Sequence, residues 1–184
     1  TLPAVAGQAL AAFFQKGETA RSEDDFMAVL YRWTDGTAAS LGPTARLLFH
    51  FLARLEDDDR TRAVIDANWS DFLKRLLGER GPIPPSPPFP GREGGPGGLG
   101  PETVRAALDA GKAALDSALS QLAQAGLVEI IEPDTEPESA PDSSFILHPS
   151  SFTLYRIHPG VAEAARAAAD EAVLKAADIE MGDY

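Results

Sequence analysis

Apolar residues recur along most of this chain at spacings of three and four, the period of one face of an α-helix. Leu2, Val5, Ala9, Leu10, Phe13 and Phe14 form one stripe, and Phe26, Val29, Leu30 and Trp33 form a second after the capping pattern Ser22-Glu23-Asp24-Asp25. These predict two short helices. Pro43 stands at a favourable first helical position, and Leu47, Leu48, Phe51, Leu52 and Leu55 carry a third helix that stops at the run Glu56-Asp57-Asp58-Asp59. Val64, Ile65, Trp69, Phe72, Leu73, Leu76 and Leu77 predict a fourth, with a break near Asn68, a residue suited to capping its second half.

The pattern then fails abruptly. From Gly81 to Pro101 the chain reads "GPIPPSPPFPGREGGPGGLGP", too poor in buryable side chains to offset the entropy of ordering, so a disordered insertion is expected. Helical spacing resumes with Val104, Leu108, Leu115, Leu119 and Leu122, and Gly111 is expected to divide this stretch in two. Gly126 occupies a place where a left-handed helix terminus is wanted, and Leu127 to Ile131 reads as a short strand. An acidic, Pro-rich loop follows from Glu132 to Asp142, then a second strand from Phe152 to Ile157, and "GVAEAARAAADEAVLKAA" returns to helix. The order, helices followed by strand, long loop, strand and helix, predicts a mainly α fold with a small β-hairpin: a winged helix preceded by two short helices.

Within the hairpin the chain nearly repeats itself, "SSFILHP" at Ser143 to Pro149 and "SSFTLYRIHP" from Ser150 to Pro159. The second copy leads into the last helix and is assigned to the fold. The first is read as an added length of wing loop, which loop-closure entropy tolerates. The resulting organisation is a helical segment at 1–36, the first part of the winged-helix domain at 37–80, the insertion at 81–101, the remainder at 102–169 with a wing loop at 132–151, and a C-terminal helix at 170–184 leading to a further domain. The opening "TLPAVAG", without an initiating Met, and a close just after a helical pattern suggest a piece of a longer polypeptide.

Composition narrows the function. The 184 residues contain no Cys, so disulfides and thiolate metal sites are excluded. Leu2 to Phe14 is too short to span a bilayer and lacks the leading positive charge of a secretory signal, which gives a cytoplasmic address and no membrane partner. With 28 acidic against 16 basic residues the net charge is −12, and a surface that must neutralise phosphates is disfavoured.

Candidate chemistry is sparse. "GREGGPGG" lacks the Lys-Ser/Thr ending of a phosphate loop and no strand precedes it. No G-x-S-x-G elbow accompanies the available Ser, His and Asp residues, so no catalytic constellation is read and no enzyme is expected. His50, in an apolar helix, is expected to be packed or partly exposed, and His148 solvent-exposed in the extra loop copy. Asp57 to Asp59 read as a solvated helix start.

"SLGPTARLLFHFLARLEDDDR", "NWSDFLKRLLG", "LSQLAQAGLVEI" and "YRIHPGVAEAARA" together resemble the winged-helix region of STAND ATPases, the multidomain signal-transduction ATPases whose bacterial members often continue into tetratricopeptide repeats. The resemblance covers roughly residues 39–169 outside the two insertions. It implies a non-catalytic regulatory module whose partners are the neighbouring nucleotide-binding and repeat domains of the same polypeptide, and which stabilises a closed, ADP-bound state. In that family a Met-His-Asp-like motif ends the winged helix and its His contacts the phosphate of ADP. Ile157-His158-Pro159 stands in the corresponding place, with Pro159 where the family has Asp, so the resemblance makes His158 a nucleotide-sensing residue. The residues themselves equally allow His158 to be the cap of a helix that begins at Pro159. No cofactor is expected in this chain, ADP or ATP being a ligand of the full-length protein. The alternative function is a DNA-binding winged helix of a transcription regulator, which the acidic residues Glu102, Asp109, Asp116 and Glu132 on the would-be reading elements argue against.

Overall fold

A computed structural model describes residues 23–79, 100–132 and 153–182. Helix α1 runs Glu23–Ala39, α2 Pro43–Arg54, α3 Arg62–Leu76, α4 Pro101–Gln124, α5 Pro159–Ala168 and α6 Glu171–Gly182; strands β1, Glu129–Ile131, and β2, Leu154–Arg156, lie between α4 and α5. The fold is therefore mainly helical with a small antiparallel sheet. The predicted helix at 2–14, the Pro/Gly insertion, the first copy of the repeat and His148 lie outside the described residues.

Helix α2 is the hub. Every residue from Leu47 to Ala53 is buried, and α4, α5 and α6 pack around it, so a helix apolar on all sides sits where water reaches none of them. The ring of Phe51 meets that of Phe72 at 4.7 Å between centroids, and Trp69 closes the cluster at 5.5 Å from Phe72. Burying an α-helix end requires partners for its last carbonyls. Arg60 supplies them by folding back under α2, donating Nε to the Leu52 carbonyl and Nη2 to that of Leu55, each at 2.9 Å, while Arg166 of α5 donates to Ala53 O at 2.8 Å. Both guanidiniums also complement the negative end of the α2 dipole.

Helix α3 starts at Thr61, whose Oγ1 accepts from Val64 N, and runs unbroken to Leu76. The break expected near Asn68 does not occur: Asn68 turns its side-chain amide onto the Val64 carbonyl one turn back, at 2.8 Å, so its polar group is satisfied within a continuous helix. The division expected at Gly111 does occur. Gly111 has φ 53° and ψ −131°, a conformation that L side chains avoid, and α4 bends there. Its end is a Schellman turn: Gly126, at φ 72°, donates to Ala123 O and Leu127 N donates to Leu122 O, with Leu122 and Leu127 both buried.

Strands β1 and β2 pair with Glu129 opposite Arg156, Ile130 opposite Tyr155 and Ile131 opposite Leu154. Alternation sends Tyr155 and Ile157 inward and Arg156 outward. The other edge of β2 is also used. Thr61 bridges Leu154, with Tyr155 N donating to Arg60 O and Arg62 N to Thr153 O, both at 2.8 Å. The residues between α2 and α3 thus add an isolated β-bridge to the two-stranded sheet, which no period-two pattern announces.

The first and last described helices both pack on the core. Helix α1 is 17 residues long and continues through residue 36 to Ala39, and it packs along α5 with Tyr31 donating to Glu163 Oε1 at 3.0 Å. At the other end the helical pattern breaks at Ala169, in extended conformation, and Asp170 restarts it by accepting from Ala172 N through Oδ1 at 2.9 Å. Helix α6 then docks on α2 and α3: Val173, Ala176 and Ala177 are buried, and Glu180 pairs with Arg75 at 3.0 Å. Small residues let its backbone approach closely. The segment at 170–184 is therefore part of the body up to Gly182. No helix of the described residues is long and apolar enough to cross a membrane.

Candidate functional site

The strand-to-helix junction at His158 is the position singled out by resemblance. Following β2, alternation places Tyr155 and Ile157 in the core and leaves Arg156 and His158 exposed. His158 is the N-cap of α5, with Nδ1 accepting from Gly160 N at 3.2 Å and its carbonyl receiving the amides of Val161 and Ala162. Accepting through Nδ1 leaves the ring proton of the neutral imidazole on Nε2. The junction thus has one nitrogen committed to capping and a second that is a donor on an exposed side chain.

His50 lies elsewhere. It is buried on α2 with Nδ1 3.2 Å from the Ala165 carbonyl, seven residues along α5 from His158, about 10 Å of helical rise. Facing a carbonyl, Nδ1 must carry the proton. Burial pushes the imidazole pKa below its usual value; the Ala165 hydrogen bond opposes that shift, Arg46 adds to it, and Asp35 and Asp170 oppose it. Its role is to fasten α2 to α5.

Asp57 to Asp59 form a single 3-10 turn, and Asp57 binds the buried Arg60 at 2.5 Å. Desolvation lowers the Arg60 pKa, the Asp57 carboxylate acting against it. These aspartates line a polar cleft of about 800 Å³ with Arg54, Arg166 and Asp178, in which Arg54 forks onto Asp178 through two hydrogen bonds. No group of three His, Asp or Glu side chains able to hold a metal is present among the described residues. No local pattern marks Arg60 or Arg166 as a carbonyl cap: Arg60 turns back five and eight residues onto the end of α2, and Arg166 reaches it from α5.

The outward face of α4 and the hairpin carry Glu102, Asp109, Asp116, Glu129 and Glu132, all exposed. The cations among them are largely engaged. Arg105 donates to Glu79 at 2.9 Å, Arg156 lies 3.4 Å from Glu129, and Asp116 itself is held by Arg62 at 2.6 Å. The sequence-predicted acidic face and the His158 junction occupy different elements, α4 with β1 and the start of α5.

No family model, curated protein or solved structure matches this chain.

Proposed function

We propose that this chain is a non-catalytic regulatory module, the winged-helix region of a STAND-type ATPase, which acts by packing against neighbouring nucleotide-binding and repeat domains of the same polypeptide. The observation that carries the reading is the β-bridge between Thr61 and Leu154. The order helix α2, bridge, helices α3 and α4, strand β1, strand β2 supports the reading, a winged helix being expected to carry a short extended segment at that point. Helix α1 packs on α5 and helix α6 on α2 and α3, so both are joined to the same core.

His158 fits the sensing role in its chemistry. Capping consumes Nδ1 and orients the ring, so the Nε2 proton is free to meet a phosphate oxygen of ADP held by another domain. That donor would be this chain's own contribution to the nucleotide; the remaining phosphate contacts belong to the domain that holds it. Pro159 in place of the family's Asp removes a carboxylate and supplies a helix start.

The alternative, a DNA-reading winged helix, is disfavoured by the charge of α4 and the hairpin. A surface that releases counterions from phosphates needs unpaired cations, and here carboxylates outnumber them and occupy most of them. Fluorescence anisotropy with random duplex at physiological salt should show no association below about 10 µM, weaker than the non-specific affinity of many DNA-binding proteins. In the full-length protein, His158→Ala should accelerate ADP loss and shift the population to the open state. Unchanged ADP retention would reduce His158 to a helix cap, and sub-micromolar, salt-sensitive duplex binding would replace the regulatory reading with the transcription-factor one.

A further inference from the structure

The bend at Gly111 opens a pocket of about 260 Å³ between α3 and α4. No side chain forces glycine there, since a Cβ at Gly111 would meet nothing within 4 Å; the backbone conformation alone demands it. Where a straight helix would continue its apolar ridge onto α3, the bend separates Leu108 from Leu115. Trp69, Leu73 and Ala107 complete the apolar wall. We propose that this pocket binds a small amphipathic carboxylate, its aromatic or branched apolar body between α3 and α4 and its anionic end at Lys112.

Volume sets the size of the body. A cavity of roughly 150 Å³ accepts benzene, so the larger pocket accommodates a ring with a short side chain but not a nucleotide. Charge sets the end group. Of the two ionisable side chains at the rim, Asp66 is already held by Arg62 at 2.9 Å, whereas Lys112 has no ion-pair partner among the described residues. The nearest acid a turn further along α4, Asp116, is likewise held by Arg62. Lys112 thus stands at the mouth, beside the apolar wall, as a cation outside any ion pair among the described residues, while the single charge of Arg62 is shared between Asp66 and Asp116. Trp69, buried in that wall, carries an indole N–H without an acceptor among the described residues. This site is separate from the His158 junction and stands whether or not the regulatory reading holds.

The chain has two tryptophans, so Trp33→Phe leaves Trp69 as the single reporter. Titrating that variant with 3-phenylpropionate should change the Trp69 emission saturably, with half-saturation near or below about 1 mM for a ligand of this size. Replacing the probe with neutral 3-phenylpropionamide, or Lys112 with Gln, should each weaken binding about three- to fivefold, the range of an exposed charge pair. Ser70→Leu, at an exposed rim position, should fill the mouth and abolish saturation. Absence of a saturable signal would overturn the proposal, including the case in which a second copy of the chain covers the pocket and the protein sediments as a dimer. Equal affinity for the amide would overturn the carboxylate assignment, and unchanged binding in Ser70→Leu would overturn the location.

Discussion

Gly160→Ala tests whether α1 belongs to the same rigid body as α5. Gly160 lies in the first turn of α5, and a Cβ built there would stand 2.5 Å from Leu30 Cδ2 of α1. Carbon atoms rest at about 3.5–4.0 Å, so Leu30 must retreat by at least about 1 Å. Overpacking of this kind costs about 1–3 kcal/mol, and exchanging Gly for Ala in a helix returns at most about 1 kcal/mol. The net expectation is a loss of about 0.5–2 kcal/mol. Leu30 is half-buried, so Leu30→Ala alone should cost about 1–2.5 kcal/mol, half the range of a fully buried leucine. The informative variant is the double one. With Leu30 cut back, the methyl at residue 160 enters the vacated space, and Gly160→Ala becomes neutral or stabilising. The coupling energy should reach about 0.5–3 kcal/mol, at or beyond the limit of the additivity expected of distant sites. Urea unfolding followed by tryptophan emission, with unchanged m-values, measures each corner of the cycle. If Gly160→Ala costs the same in both backgrounds to within about 0.5 kcal/mol, α1 is not seated on α5 and the one-body argument fails.

Glu180→Ala should cost about 1–3 kcal/mol, because it removes a largely buried ion pair with Arg75 that ties α6 to α3, while Asp178→Ala at the exposed fork with Arg54 should cost less than about 1 kcal/mol; equal losses in urea titrations would show that α6 is not docked. His50 has its folded-state pKa lowered by burial, so the unfolded chain binds its proton more readily than the native one. The stabilisation is full above the ordinary value near 6.5 and is lost as pH falls below it, and His50→Gln should flatten the fall in urea midpoint between pH 7.5 and 5.5; an unchanged slope would assign the pH dependence to other groups. Gly126→Ala, at φ 72°, should cost about 1–2 kcal/mol and leave the hairpin register unchanged by hydrogen exchange; a neutral result would mean that the Schellman turn does not fix the end of α4.

Helix existence was legible in the sequence because the apolar period of α2, α3 and α4 reports burial on one side, and two of the three described glycines with positive φ, Gly111 and Gly126, stood where that period broke. The hairpin was legible too, from two short apolar runs whose register placed Tyr155 and Ile157 inward. His158 could be read as a cap from the proline that follows it. Local chemistry dictates these features, so local sequence encodes them. Asn68 shows the limit of that rule: its amide can cap a new helix or bond one turn back, and only the packing of Trp69 and Phe72 on Phe51 favours the continuous helix. The bridge at Thr61, the capping of α2 by Arg166, the seating of α1 on α5 and of α6 on α3, and the pocket beside Gly111 depend on partners far away in the chain. No periodicity within one segment records which distant carbonyl, carboxylate or methyl group will face it, and so these contacts were decided only when the helices closed around α2.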